Sequence, residues 1–522
     1  MSNLTKQQVA VSFIFKFPAN GVARPKVALF KRSGKVSTYR HKYAPISGSV
    51  EATDSNPLAT AWRELGEETG LDASSLTFLR QGKPYTFADE SVGREWTIHP
   101  FAFVLKPPDA ETGARGEQGM RLDWEHEAYG WFDPGDVADE EAFPGVPKLL
   151  ESLRRVWPAL DLGSAAAAVL DKGLQALRDD HESGARQLAG KAGAILADVV
   201  SQLDSGDGEA WWANFRRAAW HLWRNGRESM AASILSAVLR SLDVVERRME
   251  TAGCCLSGAT VDDMLAEMRA LRRTRETSVS RIASEFTALA AALAAGADAL
   301  VVLTLSSSST IHACLAHALA TTGTPAPLLD LRVLESRPLF EGAGLACRLS
   351  GCAAARGTAG PPRLRTTVYT DACAAVAARD ARLVLLGADL IDRHGNVSNK
   401  TGSLPAVLAA KHVSRDAKVV VVSETDKVSP LDHDPRARQE EENDPGEVVG
   451  AWAEAGLRWP ERQEPGRGGG GGGVRVRNVY FEWVPRALVD YYVTEEGVAK
   501  AEDVMRWAED VGRRSEHYFG DL

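Results

Sequence analysis

The chain has 522 residues, which is more than one hydrophobic core supports and predicts two or three domains. Its hydrophobic content of 44% and charged content of 25% are ordinary for a soluble globular protein, and a net charge of −9 argues against direct nucleic-acid binding. Six cysteines without regular spacing exclude a disulfide framework, so reduced thiols in the cytoplasm are the simpler interpretation.

Residues 1 to about 160 mix short strand-type runs with one clear helix. Strands are predicted at 9–15, 26–32, 97–105 and 129–132, because apolar and β-branched residues dominate each run. The first residues alternate like a strand and lack a basic region followed by an apolar core, so no signal peptide is expected.

The helix in this region has strong end signals. Asn56 can cap it, Pro57 suits its first position, and Gly70 is a natural terminator after a predicted end near Glu68. A solvated helix with a charged surface is the plain alternative, but the caps and the flanking strands favour a specific site.

One face of this helix is strongly acidic. Glu64, Glu67 and Glu68 are spaced at i, i+3 and i+4, so three carboxylates lie side by side and repel one another. A hard cation, Mg²⁺ or Mn²⁺, would relieve that repulsion. Arg63 is adjacent and can pair with a carboxylate or hold the preceding loop.

The middle of the chain, 164–295, has helical spacing and predicts a helical subdomain. The long apolar stretch 286–305 predicts a buried helix followed by a buried strand rather than a membrane span, because Gly296 and Asp298 interrupt it. No membrane association is expected.

Residues 296–522 alternate strands with helices. Continuous apolar runs such as 299–305 and 418–422 are typical of a parallel sheet covered on both faces, as in Rossmann-like α/β domains. The glycine tract within 464–473 predicts a flexible surface loop, because a strand resumes at 474–485.

The sequence Arg63–Leu71 resembles the second half of the Nudix box: Arg-Glu-aliphatic-x-Glu-Glu-x-Gly-aliphatic. The first half departs from it, because one extra residue follows Gly48 and Ser55 stands where a glutamate is expected; Asp54 or Glu51 can substitute. The resemblance covers 1–160 and implies an α/β/α sandwich with a mixed sheet.

The same resemblance implies hydrolysis of a nucleoside diphosphate linked to another group, or of a similar phosphoanhydride. Glu64, Glu67 and Glu68 would hold the metal ion, with Arg63 as a further catalytic residue. One of Glu125 and Glu127 would add a ligand or a base. Candidate phosphate contacts, each more simply an ordinary surface charge, are Lys106, Arg80 and Arg121.

The C-terminal half resembles a second family. It comprises the alpha, beta and delta subunits of translation initiation factor 2B, ribose-1,5-bisphosphate isomerase and methylthioribose-1-phosphate isomerase. The motifs that carry the likeness are Asn225–Met230, Thr304–Thr310, Glu335–Pro338, Gly387–Asp389 and Gly395–Gly402. The likeness covers about 225–497, with the preceding helices as the family's helical subdomain.

A phosphate site is predicted where these motifs meet. A hydroxyl-rich turn entering a helix offers N–H and O–H donors to an anion, and Arg337 and Lys400 add positive charge at the same sheet edge. The candidate binding residues are Arg227, Ser306, Ser307, Ser308, Ser309, Thr310, Arg337, Asn399 and Lys400. A phosphorylated sugar or nucleotide is the expected ligand.

The isomerases of this family pair a cysteine in the strand-end loop with an aspartate. Asp389 matches the aspartate, but Ser306 holds the cysteine's place and Cys314 lies about two helical turns further on. A serine hydroxyl is a poorer acid or nucleophile than a thiol, so efficient isomerisation is not expected.

Three hypotheses for the function follow. The first is a metal-dependent hydrolase joined to a phosphate-binding regulatory or oligomerisation module. The second is a translation-factor-like binding protein with a degenerate Nudix domain, and the third is an active isomerase that uses Asp389. A homodimer through the C-terminal domain is also predicted, both from the family and because Tyr480, Phe481 and Trp483 cluster in one late segment. Packing of these rings inside the monomer is the alternative.

Overall fold

A computed structural model describes residues 4–18, 24–109, 114–138, 142–181, 183–252, 256–271, 276–321, 328–355, 363–432, 441–454, 456–457 and 475–522. The predicted glycine-rich loop at 464–473 lies outside these residues. Within them the protein is a multidomain α/β structure, as the sequence predicted.

The N-terminal part forms an eight-stranded mixed sheet. Its strands are β1 (Thr5–Lys16), β2 (Lys26–Arg32), β3 (Tyr43–Ala44), β4 (Ile46–Ser49), β5 (Leu76–Gln81), β6 (Tyr85–Asp89), β7 (Arg94–Leu105) and β8 (His126–Phe132). The order is β3-β2-β1-β7-β5, while β4 pairs with β1, β6 with β7 and β8 with β2. Strands β1 and β7 are parallel and the other pairs antiparallel, so the predicted mixed sheet is confirmed.

Helices α1 (Pro57–Thr69) and α2 (Leu149–Val156) cover opposite faces of this sheet. Successive side chains of a strand point to opposite faces, so Phe13 of β1 packs with α2 and Ile14 with α1. The result is the α/β/α sandwich implied by the sequence.

The ends of α1 form as predicted. The Asn56 side chain accepts a hydrogen bond from the backbone N–H of Ala59 at 2.9 Å, and Pro57 occupies the first turn. Gly70 ends the helix with a left-handed φ of 68°, a conformation that glycine adopts without steric cost. The acidic face of α1 is therefore held on a helix with fixed ends.

A helical layer follows the N-terminal sheet. Its helices are α3 (Ala159–Arg178), α4 (Ala185–Val200), α5 (Gly208–Asn225), α6 (Ala231–Ala252), α7 (Gly258–Ala270) and α8 (Glu276–Leu293). Leu170, Trp211, Phe215 and Leu235 are fully buried in its core. In the described parts of the chain, helices fall short of the length or the apolar character that spanning a membrane requires.

The C-terminal part contains a seven-stranded sheet and a three-stranded sheet. The strands in chain order are β9 (Ala299–Leu305), β10 (Leu328–Leu334), β11 (Leu364–Tyr369), β12 (Leu383–Leu386), β13 (Leu390–Ile391), β14 (Val397–Lys400), β15 (Lys418–Val422), β16 (Phe481–Val484), β17 (Tyr491–Thr494) and β18 (Gly497–Ala499). The large sheet has the order β11-β10-β9-β12-β15-β17-β18 and is parallel except for β18. Strands β13, β14 and β16 form the small antiparallel sheet.

Helices cover both faces of the seven-stranded sheet, as the apolar runs predicted. They are α8 on one face with α9 (Ser309–Ala320) and α10 (Glu341–Ala355), and on the other α11 (Ala374–Ala377), α12 (Ser403–Val413) and α14 (Ala501–Phe519). A further helix, α13, spans Pro445–Glu454. The predicted buried helix and buried strand within 286–305 are α8 and β9, which confirms that interpretation.

Candidate functional sites

The first candidate site is a cavity of about 360 Å³ beside α1. Glu64 and Glu68 of α1 line it together with Glu125, which immediately precedes β8. Gly48 of β4 faces Glu64, and a Cβ atom at Gly48 would lie 1.8 Å from a carboxylate oxygen of Glu64. A side chain at position 48 would therefore displace the Glu64 carboxylate.

The carboxylates in this cavity are poorly solvated. Glu68 is 4% exposed, and one of its carboxylate oxygens has no hydrogen-bond partner in the described part of the chain. Burial, with the negative charges of Glu64 and Glu125, raises the pKa of Glu68. Burial is also the main cause of the raised pKa values of Glu64 and Glu125. Oxygen ligands of this kind fit a hard divalent cation, which would offset the repulsion.

Arg63 connects the helix to the loop before it. Its guanidinium donates to Asp54 at 3.1 Å, to Glu64 at 2.7 Å and to the backbone carbonyl of Ser49 at 3.2 Å. The hydrogen bond from Arg63 is the main cause that lowers the pKa of Asp54 to about 2. Of the two substitutes considered for the missing glutamate, Asp54 contacts Arg63, whereas Glu51 lines the cavity.

Two of the predicted acidic residues point away from the cavity. The Glu67 side chain is 61% exposed and pairs with Arg63 at 3.2 Å. Glu127 does not line the cavity and pairs with Lys31 and His41. Among the described residues no preformed group of three or more His, Cys, Asp or Glu side chains is arranged to hold a metal ion. Metal ligation by Glu67 remains a prediction.

The cations of this cavity differ from the three considered in the sequence. Arg32 and Arg94 line it, whereas Lys106, Arg80 and Arg121 do not. Neither arginine belongs to a motif that indicates phosphate binding, so only the structure reveals that both line this cavity.

An aromatic wall, formed by Tyr39, Tyr85, Phe87 and Trp96, also lines the cavity and was not predicted. The rings of Tyr85 and Phe87 stack with centroids 6.1 Å apart, and Arg94 lies 5.1 Å from the ring of Trp96. The lining of the cavity thus combines carboxylates with aromatic rings.

The second candidate site is a cavity of about 1140 Å³ at the carboxyl ends of the parallel strands. The structure brings almost the whole predicted set to it: Arg227, Ser306, Ser307, Ser308, Ser309, Thr310, Asp389, Asn399 and Lys400. Ser308 caps α9 by accepting a hydrogen bond from Ile311 at 3.3 Å, so the hydroxyl-rich turn is a helix start as predicted.

Arg337 is the exception in the predicted set. Its side chain is 52% exposed, pairs with Glu335 at 3.1 Å and does not line the cavity. The guanidinium instead lies 5.1 Å from the ring of Phe340. The expectation that Arg337 adds charge to this cavity is therefore corrected: the chain after β10 directs it to the surface.

Each of three cations in the second cavity pairs with a carboxylate. Lys400 lies 2.9 Å from Glu341, and Arg227 lies 2.5 Å from Glu441. Arg186 of α4, paired with Glu424 at 2.7 Å, was missed because it comes from the helical layer. The cavity therefore contains fixed charges of both signs.

Asp389 lines the same cavity as Ser306. Burial raises the pKa of Asp389, and the positive charges of Lys427 and Arg227 oppose that rise. Cys314 is fully buried within α9, and burial raises the pKa of its thiol to about 12. The described residues lining the cavity include no cysteine, so Ser306 has no thiol substitute there.

Comparison with known proteins matches two families. The model of the Initiation factor 2 subunit family matches residues 184–501, and the model of the NUDIX domain matches residues 6–153.

Individual curated proteins match a shorter part of the chain than the family models do. Methylthioribose-1-phosphate isomerase of Xanthomonas campestris pv. campestris (strain B100) is 32% identical over 123 residues, which are 24% of this chain and 30% of that protein. The enzyme of the same name from Xylella fastidiosa (strain M12) is 29% identical over 139 residues, 26% of this chain and 35% of that protein. The chain thus spans about a third of the length of these relatives.

Two solved structures have related chains. The Pyrococcus horikoshii OT3 translation initiation factor eIF-2B has a TM-score of 0.41 and 22% identity, covering 63% of this chain and 96% of that chain. Chaetomium thermophilum eIF2B beta has a TM-score of 0.46 and 14% identity, covering 68% and 94%. The family match to residues 184–501 spans more than half of the sequence, so the chain belongs to the Initiation factor 2 subunit family and carries a NUDIX domain in front of it.

Proposed function

We propose that the NUDIX domain hydrolyses a nucleoside diphosphate linked to another group, or a related phosphoanhydride, with Mg²⁺ or Mn²⁺. The observation that carries the proposal is the convergence of Glu64, Glu68 and Glu125 on one cavity, where one Glu68 oxygen makes no hydrogen bond among the described residues and lies 3.5 Å from His126 Nε2. A bound divalent cation would polarise the phosphoryl group and stabilise the charge that develops on it.

Different residues of the domain bind the cation, position the loop and accept the proton. Glu64 and Glu68 hold the cation, and Glu67 on the exposed side of α1 is available as a further ligand. Arg63 fixes the preceding loop through Asp54. Glu125, whose pKa is raised by burial, accepts a proton from the attacking water at a carboxylate oxygen.

The aromatic wall supports a substrate with a planar ring. A nucleobase can pack against the side chains of Tyr39, Tyr85 and Trp96 while its diphosphate lies toward the carboxylates. Arg32 and Arg94 supply positive charge on the lining of the same cavity. A diphosphate without an aromatic group would leave this wall uncovered.

For the C-terminal half we propose binding of a phosphorylated sugar or nucleotide. Its phosphate would meet the Ser306–Thr310 turn and Lys400, and its hydroxyl groups would meet Asp389 and Asn399. We also propose a division into residues 1–160, 164–295 and 296–522, and a cytoplasmic homodimer.

Specific observations also favour two other functions. Ser55 favours a degenerate Nudix domain on a translation-factor-like binding protein, while the intact Glu64, Glu67 and Glu68 oppose it. The position of Asp389 in the second cavity favours a sugar-phosphate isomerase, while Ser306 opposes it.

A substrate screen separates these functions. The full chain is incubated with nucleotide sugars, dinucleotides and non-nucleoside diphosphates, with Mg²⁺ or with EDTA, and phosphate-containing products are measured. Mg²⁺-dependent cleavage of nucleoside substrates supports the proposal. Failure of every substrate, with a folded protein, favours the degenerate domain.

A further inference from the structure

The NUDIX domain contacts the helical layer through a reciprocal pair of hydrogen bonds. The backbone N–H of Gln81, the last residue of β5, donates to the Asn225 side chain at 2.7 Å. The Asn225 amide donates back to the Gln81 carbonyl at 2.9 Å, and the Gln81 side chain donates to the carbonyl of Arg224 at 2.9 Å. Asn225 is 6% exposed, so water does not compete for these bonds.

The segment after Asn225 leads directly into the second cavity. Gly226 leaves no space for a side chain, because a Cβ atom there would lie 2.6 Å from the Leu222 carbonyl. Arg227 follows, is 5% exposed and lines the cavity. Its guanidinium donates to the Asp180 carbonyl at 2.6 Å.

Arg227 still has an unused donor. One guanidinium nitrogen, Nε, is buried without a hydrogen-bond partner in the part of the chain that the structure describes. Arg227 lies two residues after Asn225, and two residues of chain span at most about 7 Å. A movement of Asn225 therefore also moves Arg227. The buried ring of His221, 3.0 Å from the Asn225 amide, holds that amide from the other side.

We propose that the NUDIX domain positions Arg227 in the second cavity through Asn225. Asn225 is a positioning residue, because it contacts strand β5 and does not line the cavity. The N-terminal domain is then a structural part of the C-terminal binding site. The affinity test below rests on the phosphorylated ligand proposed above, whereas the exchange test does not.

Other contacts keep the domains together when Asn225 is changed. Arg80 of β5 pairs with Asp171 at 2.6 Å, and Arg178 donates to the Leu79 carbonyl at 2.9 Å. Lys83 donates to the Gly520 carbonyl at 2.8 Å, far along the chain from Arg227. Asn225→Ala therefore removes the link to Arg227 without undocking the domain, and Lys83→Ala is a matched interface control.

Ligand affinity is the first test. Ribose 5-phosphate is titrated into the full-length wild type, Asn225→Ala and Lys83→Ala by calorimetry. We expect Asn225→Ala to weaken binding about tenfold, which equals about 1.4 kcal/mol, and Lys83→Ala to change it less than about twofold. In an Arg227→Ala background, Asn225→Ala should weaken binding no further, because both changes act through one side chain.

Hydrogen–deuterium exchange of the ligand-free full chain is the second test. The Met230 amide donates to the Arg227 carbonyl at 3.1 Å, so it reports on the turn that carries Arg227. We expect faster exchange in residues 226–230 of Asn225→Ala and no change there in Lys83→Ala. If Asn225→Ala does not fold, Asn225→Asp takes its place in both tests, because it removes the amide donor that faces Gln81 and His221 and keeps the acceptor for the Gln81 N–H.

Different results contradict the positioning role of Asn225 and the proposed ligand class. Unchanged exchange at 226–230, or equal weakening by Asn225→Ala in both Arg227 backgrounds, contradicts the positioning role. If ribose 5-phosphate and nucleotides do not bind the wild type, the proposed ligand class is wrong, and exchange alone decides whether Asn225 positions Arg227.

Discussion

Removing the charge of Glu68 should stabilise the metal-free protein at alkaline pH. This carboxylate is 4% exposed, one of its oxygens makes no hydrogen bond among the described residues and lies 3.5 Å from His126 Nε2, and Glu64 and Glu125 line the same cavity. Glu68→Gln preserves the shape of the side chain and removes the group that must bind a proton on folding. The amide can donate to the Glu64 carboxylate, as the protonated Glu68 does.

The size and sign of the effect follow from burial. Each pH unit between the unfolded and the folded pKa costs the wild type about 1.4 kcal/mol, so the variant should gain on the order of a few kcal/mol of free energy of unfolding at pH 8. The raised pKa of Glu68 means that the folded protein keeps this proton while the unfolded chain loses it at about pH 4.3. Wild-type stability therefore falls as the pH rises above that value, and the two proteins should be equally stable near pH 4.

Urea unfolding with EDTA at pH 4, 6 and 8 measures this directly. Glu67→Gln is the matched control, because its 61% exposed side chain predicts a change within about 0.5 kcal/mol. Saturating Mg²⁺ should stabilise the wild type more than Glu68→Gln. Equal stability of Glu68→Gln and wild type at pH 8, or equal stabilisation of both by Mg²⁺, would refute the reasoning.

Four further outcomes are expected. Glu67→Gln should lower Mg²⁺-dependent hydrolysis by roughly a hundredfold in a phosphate-release assay, if the lost charge is worth several kcal/mol to the transition state; a rate equal to wild type contradicts a ligand role. Gly48→Ala should lower hydrolysis at least as much while the protein stays folded by circular dichroism, because the new Cβ displaces Glu64; unchanged turnover would mean that Glu64 is dispensable. The wild type should not convert ribose 1,5-bisphosphate or methylthioribose 1-phosphate at ordinary enzyme rates, since Ser306 replaces the thiol beside Asp389; product detected by chromatography would overturn this. Light scattering should give a dimer or larger for the full chain and a monomer for residues 1–160, and a monomeric full chain at micromolar concentration would end the dimer hypothesis.

Local signals made the first site largely predictable. The cap of α1 depends on Asn56, Pro57 and Gly70, which act within one turn of the helix ends and can be read from spacing alone. Strands β5 and β6 were not predicted, because their short mixed runs lack clear alternation. The aromatic wall that β6 contributes was therefore missed.

The choice between Glu125 and Glu127 required the structure. Residues two apart in a regular strand point the same way, so spacing alone gives both the same orientation. Here Arg32 of β2 pairs with His126 while Lys31 pairs with Ala128, and the register shifts between them. Glu127 is the extra residue of this irregularity and turns toward Lys31, which leaves Glu125 on the cavity.

The second site shows a similar limit. Sequence order indicated which sheet edge carries the Ser306–Thr310 turn and Lys400, because the carboxyl ends of parallel strands share one edge. It did not indicate the direction of the loop that carries Arg337, nor that Arg186 arrives from the helical layer. Such contacts depend on tertiary packing between segments that are distant in sequence.

The connection between the two halves argues against independent modules on a flexible tether. Helix α2 ends at Val156 and α3 begins at Ala159, so only two residues separate them. One of these, Trp157, stacks on Phe15 of β1 with centroids 4.6 Å apart and fixes the chain against the N-terminal sheet. Because α3 is kinked at Gly163, the short connection alone does not fix the NUDIX domain; the Gln81–Asn225 contact holds its orientation on the helical layer. The two cavities therefore belong to one framework, in which a change at β5 has a direct structural route to Arg227.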